Sequence, residues 1–116
     1  MTRVCILVPD LLFGSKVQGM LSAGGHDVAL VAGAPAVRAQ IASTDVLVVD
    51  LTNGDAEAIA LLDELKAAGD VPRTLAFYSH VDADVRTRAM QAGFDLVVPR
   101  SRMAREGSAL VDRLVG

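Results

Sequence analysis

With 116 residues, 52% apolar and 22% charged, the chain is about one domain long and too apolar to remain disordered. Its net charge of −3, scattered basic residues and 3% aromatics argue against a nucleic-acid surface, which needs phosphate neutralisation and stacking rings. No apolar run reaches the roughly 18 residues of a membrane helix. A single cysteine, Cys5, and a start (Met1-Thr2-Arg3) without a small-residue cleavage site point to a reducing cytoplasm.

In chain order, the apolar run Val4-Cys5-Ile6-Leu7-Val8 predicts a first strand over 3–8, with Cys5 as a small buried hydrophobe. A helical segment over 13–23 follows and ends at Gly24-Gly25, before a strand over 27–31 and a helix over 35–42. The unbroken apolar run Val46-Leu47-Val48-Val49, rich in β-branched residues, predicts a strand over 45–50 buried on both faces, as in the middle of a parallel sheet. A helix over 55–68 stops at Gly69-Asp70 before Pro72, a strand covers 73–78, and a helix over 82–92 stops at Gly93. The last strand spans 95–98 and the last helix 101–115. Ser15, Asp55, Asp82 and Ser101 stand where side-chain oxygens cap helix starts. Val85, Ala89 and Ala92, and then Met103, Gly107, Leu110 and Leu114, mark the core-facing stripes of the last two helices. Five strands alternating with five helices give one (βα)5 domain over residues 1–116, an α/β fold with a parallel sheet covered on both sides.

In such a fold, function collects at the carboxyl ends of the strands. Asp10 follows the first strand, Asp50 the third, Ser79-His80 the fourth and Arg100-Ser101 the fifth. Two carboxylates at neighbouring strand tips repel unless a divalent cation or a basic side chain lies between them. Mg²⁺ is held by one or two carboxylates plus waters and phosphate oxygens, so Asp10 and Asp50 suffice for a weak site. Arg100 supplies a competing or complementary cation, and Ser79 a hydroxyl for an anionic oxygen. Each also has a structural reading: Asp50 caps a turn, Asp10 starts a helix, Ser79 turns the chain and Arg100 is a solvated charge. His80 lies in a site loop, whereas His26 reads as a turn residue. Gly14-Ser15-Lys16 is not a phosphate loop, because Pro9 stands where the motif's first glycine belongs.

These residues resemble a response-regulator receiver domain of the CheY-like family over the whole chain. Val46-Leu47-Val48-Val49-Asp50 resembles the strand ending in the phospho-acceptor aspartate, and Leu75-Ala76-Phe77-Tyr78-Ser79-His80 the fourth strand with its Ser/Thr. The stretch from Arg88 to Val98 is similar to the family's Ala-x-x-Ala-Gly-Ala-Asp segment and short strand. The resemblance implies a doubly wound, flavodoxin-like sheet in the order 2-1-3-4-5. It also implies phosphoryl transfer from a histidine kinase to Asp50 with Mg²⁺, with Asp10, Asp50 and Thr52 as metal residues and Ser79 and Arg100 beside the acceptor. The domain is then the substrate of its kinase and not an ordinary enzyme. With no output domain after Gly116 it acts alone through a protein partner, and its last helices offer a homodimer face around Arg102, Arg105 and Arg113. Three departures stand out. Pro9-Asp10 replaces two adjacent acids, Pro99-Arg100 reverses a Lys-Pro pair, and Val97 stands near the place of the family's aromatic switch. Two further readings follow: a pseudo-receiver that signals without phosphate, and a flavodoxin-like protein whose anion site uses Ser15, Lys16 and Arg100.

Overall fold

The structure is a computed structural model that describes residues 2–69, 71–79 and 81–116. Strands β1 (Arg3–Leu7), β2 (Asp27–Val31), β3 (Val46–Asp50), β4 (Arg73–Tyr78) and β5 (Leu96–Pro99) alternate with helices. These are α1 (Leu11–Ala23), α2 (Ala34–Gln40, continued by a 3-10 turn over Ile41–Ser43), α3 (Ala56–Ala68), α4 (Ala83–Ala92) and α5 (Arg100–Val115). All strand pairs are parallel and the sheet order is β2-β1-β3-β4-β5, the doubly wound topology expected.

The alternation of side chains along each strand divides the interior in two. Cys5, Leu47, Val49, Ala76 and Tyr78 face a core closed by α2, α3 and α4 through Val37, Leu61, Leu62, Leu65, Val85 and Ala89. Val4, Ile6, Val46, Val48, Leu75 and Phe77 face the opposite core, closed by α1 and α5 through Val17, Leu21, Met103, Leu110 and Val111. β3 is therefore buried on both faces from Val46 to Val49, as its composition predicts. The α5 stripe is Met103, Gly107, Leu110 and Val111, with Leu114 only partly buried. A Cβ on Gly107 would come within 2.5 Å of the Met20 methyl group, so this glycine sets how closely α1 and α5 approach.

Two expected caps, Ser15 and Ser101, do not start their helices, and a third, Asp55, makes no capping bond. α1 begins at Leu11, because the Asp10 carboxylate accepts from the N–H groups of Leu12 and Phe13; Ser15 is an exposed residue inside the helix. α5 begins at Arg100, directly after extended Pro99, so Ser101 is not its cap. Asp55 occupies the N-cap position of α3 but makes no capping bond; its carboxylate is drawn to Arg88 instead. Asp82 does cap α4, accepting from the Val85 N–H. The C-caps at Gly69 and Gly93 are left-handed as expected, with φ of 78° and 100°.

A side chain at Gly93 would both strain this φ and strike the Lys66 ammonium, which donates to the Ala92 carbonyl at 2.8 Å. Gly93→Ala is expected to lower stability by about 1–2 kcal/mol, measured by urea unfolding. Burial raises the Cys5 thiol pKa to about 11. The unfolded chain then loses this proton at lower pH than the folded one, so stability falls as pH rises from the ordinary thiol range toward 11. In unfolding experiments across that window, wild type is expected to lose stability relative to Cys5→Ala.

Candidate functional site

The register places the strand tips side by side: Leu7 pairs with Val49, Asp50 with Phe77, and Tyr78 with Pro99. The loops after β1, β3, β4 and β5 thus converge at one end of the sheet. Asp50, at the end of the doubly buried β3, turns back on its own loop. Its Oδ1 accepts from the Thr52 N–H at 2.8 Å and from the Thr52 hydroxyl at 2.6 Å, a side-chain-closed turn typical of Asp. Its Oδ2 is buried and has no hydrogen-bond partner among the described residues.

Asp10 is engaged through both oxygens. Oδ1 caps α1 at 3.1 and 3.3 Å from the Leu12 and Phe13 nitrogens, and Oδ2 lies 3.5 Å from a terminal nitrogen of Arg100. The Arg100 guanidinium also stacks on the Phe13 ring, 3.9 Å from its centroid. Phe13 in turn packs on Phe77 of β4, with centroids 5.3 Å apart. Arg100 is therefore positioned by a carboxylate and a ring of the first helix. Among the described residues no basic group forms an ion pair with Asp50.

Ser79 is half-buried, and its carbonyl accepts the Asp82 N–H at 2.9 Å. With Phe13, Thr52, Asn53, Arg100, Ser101 and Ala104 it lines an open groove of about 540 Å³. Asp50 instead lines a smaller cavity of about 100 Å³ on the other side, with Pro9, Gly33, Asn53 and Glu57. The expected site residues are thus brought to one end of the sheet, but Asp50 lines one hollow, Thr52, Ser79 and Arg100 line another, and Asp10 lines neither. His80 lies outside the described residues. Ser15 and Lys16 lie inside α1 and are exposed, so they form no loop, and neither lines the groove that holds Arg100.

Two features escaped sequence reading, and a third, the turn closed by Asp50, was read without its partner. Phe13 as the seat of Arg100 has no signal in the sequence, because the two residues meet only through the α1–α5 packing. The bond between Asp50 and Thr52 is legible in retrospect as Asp followed two residues later by a donor. The Asp55–Arg88 pair, 2.6 Å apart, ties the loop after β3 to α4; the hydrogen bond from Arg88 holds the Asp55 carboxyl below its ordinary pKa.

The residues fit a receiver-type Mg²⁺ site poorly. The buried, unpaired Oδ2 of Asp50 suits a cation. Asp10, however, has no oxygen free of a hydrogen bond or ion pair, and the Thr52 hydroxyl is already directed at Asp50. Among the described residues no group of three or more His, Cys, Asp or Glu side chains could hold a metal ion.

No protein-family model matches the chain, and no curated protein does. Solved structures do. A response regulator receiver domain protein from Clostridium thermocellum superimposes with a TM-score of 0.85 at 15% identity, covering 99% of this chain and 94% of that one. The receiver domain of a Francisella response regulator gives 0.84 at 16%, covering 98% and 96%. The receiver domain of the putative response regulator NarL from Mycobacterium tuberculosis gives 0.79 at 20%, covering 99% and 97%. The chain has the fold of response-regulator receiver domains. Among the described residues no helix is long and apolar enough to cross a membrane.

Thr52→Val removes one of the two donors to Asp50 and keeps the side-chain volume. It is expected to lower stability by about 1.5–3 kcal/mol in urea unfolding, the magnitude of a hydrogen bond to a charged group.

Proposed function

We propose that this chain is a receiver-type signalling module that acts through contact with a protein partner and whose carboxylate site is held closed by its own side chains. It is not an enzyme in this reading, and its signalling does not depend on phosphoryl transfer to Asp50. The observation that carries the proposal is the engagement of Asp10. One oxygen serves the N-terminus of α1 and the other the Arg100 guanidinium. Among the described residues Asp50 is left without a second free carboxylate to share a metal and without a basic ion-pair partner. Its Oδ1 accepts both Thr52 donors and its Oδ2 is shielded from solvent, an arrangement that competes with attack on a phosphoryl donor. Val97 at the β5 position carries no ring or hydroxyl with which to report a change at the site.

A second reading has one observation in its favour, the unpartnered Oδ2. A buried carboxylate oxygen without a donor is an unsatisfied group that a cation or a phosphoryl group relieves. In that reading Asp50 accepts a phosphoryl group from a histidine kinase, and Ser79 and Arg100 approach the new oxygens from the groove.

Incubation with Mg²⁺ and acetyl phosphate, read by intact mass, separates the two. The closed-site reading expects no single-phosphoryl gain, and partner binding that Asp50→Ala leaves unchanged. A gain in the wild type that disappears in Asp50→Ala replaces it with the second reading.

A further inference from the structure

The surface around the groove carries an apolar rim that the fold does not use. Leu11 and Leu12, in the first turn of α1, are 68% and 87% exposed, and Val81, in the loop after β4, is 80% exposed. All three stand at the carboxyl end of the sheet, Leu11 and Leu12 just before Phe13 of the groove and Val81 two residues after its Ser79. Single exposed apolar residues are ordinary, but exposed apolar side chains on both sides of a polar groove suit an interaction surface.

The lining of the groove carries one formal charge, with Asp10 behind it. Arg100 is the only formally charged residue among those described as lining it, and its side chain is 41% exposed. α5 begins at the same place, with no side-chain cap and no acidic residue in its first turn. A 16-residue helix directs its positive end and free N–H groups there. Ser79, Ser101 and Asn53 add polar groups able to donate to an anion. The complement of this surface is an anionic group carried between apolar side chains. A single negative charge suits it better than a doubly charged phosphate, because Arg100 is shared with Asp10 and its charge is already partly offset.

Resting on the reading of the chain as an interaction module, we infer that this groove docks a partner protein through a segment bearing one Asp or Glu flanked by apolar residues. The carboxylate bonds Arg100 and the N-terminus of α5, and the flanking side chains cover Leu11, Leu12 and Val81. Arg100 keeps its seat on Phe13, so the guanidinium is presented in a fixed orientation rather than as a free surface charge.

A capped pentapeptide with one aspartate between two pairs of leucines, and its asparagine counterpart, test this by amide NMR titration of the full chain. The aspartate peptide is expected to shift amides of Leu11–Phe13, Ser79 and Arg100–Ala104, and to bind about tenfold tighter than the asparagine peptide. Arg100→Gln should abolish that tenfold difference, and Leu12→Ser should weaken both peptides. Leu12 is solvent-exposed, so its variant folds, and circular dichroism checks both variants. Equal binding of the two peptides, shifts confined to another face, or no shifts at about millimolar peptide overturns the proposal. Sedimentation showing self-association that Leu12→Ser removes would overturn it too, by seating a second copy on the rim. The same titration on Asp50→Ala keeps this result independent of phosphoryl uptake: peptide binding by a chain that also takes up phosphate leaves the docking groove standing and ends the closed-site reading.

Discussion

The burial of β3 on both faces is the constraint on which the rest of the molecule depends. Val46 to Val49 send alternate side chains into the two cores, and their backbone groups pair with β1 on one side and β4 on the other. A strand so placed cannot shift by one residue without exchanging its two faces. Its register therefore fixes where β3 ends, and with it the position of Asp50. The loops that carry Asp10, Ser79 and Arg100 are brought to the same end because every neighbouring strand runs parallel to β3.

What happens at that end is decided by competition for two carboxylates. Asp10 is used three times, by two amides of α1 and by Arg100. Arg100 in turn is held by the Phe13 ring, which rests on Phe77 of the central sheet. This stack removes Asp10 from Asp50 electrostatically, since a carboxylate paired with guanidinium repels its neighbour less. Asp50 closes on Thr52 and keeps one oxygen in the interior. The result is a receiver fold in which the first acid serves the architecture and the cation serves the first acid. The groove beside them is lined by Phe13, Ser79, Ser101 and the Arg100 side chain that Asp10 holds.

Much of the fold was legible because the physical signals are local. The apolar, valine-rich run at Val46–Val49, the glycines at 69 and 93 and the apolar spacing of α5 each report an element through its own residues. Boundaries were less legible where two local signals competed. Ser15 and Ser101 are good caps in isolation, but Asp10 and Pro99 stand earlier and set the helix starts. The end of β1 falls at Leu7 although Val8 continues the apolar run; Val8 is buried and still donates to Val31. Asp55 sits at its expected helix start, yet its carboxylate went to Arg88, 33 residues away, because a charge-assisted bond outweighs a cap.

By itself the sequence determined the element order, the parallel doubly wound sheet and the arrival of Asp10, Asp50, Ser79 and Arg100 at one end of it, since strand burial and helix periodicity follow from neighbouring residues. Only the tertiary structure decided how those four groups pair. Asp10 and Arg100 are 90 positions apart in the chain and meet because α1 and α5 pack on the same face of the sheet. That packing gives the guanidinium to Asp10 and Phe13 rather than to Asp50, and long-range charge pairing of this kind leaves no trace in local composition.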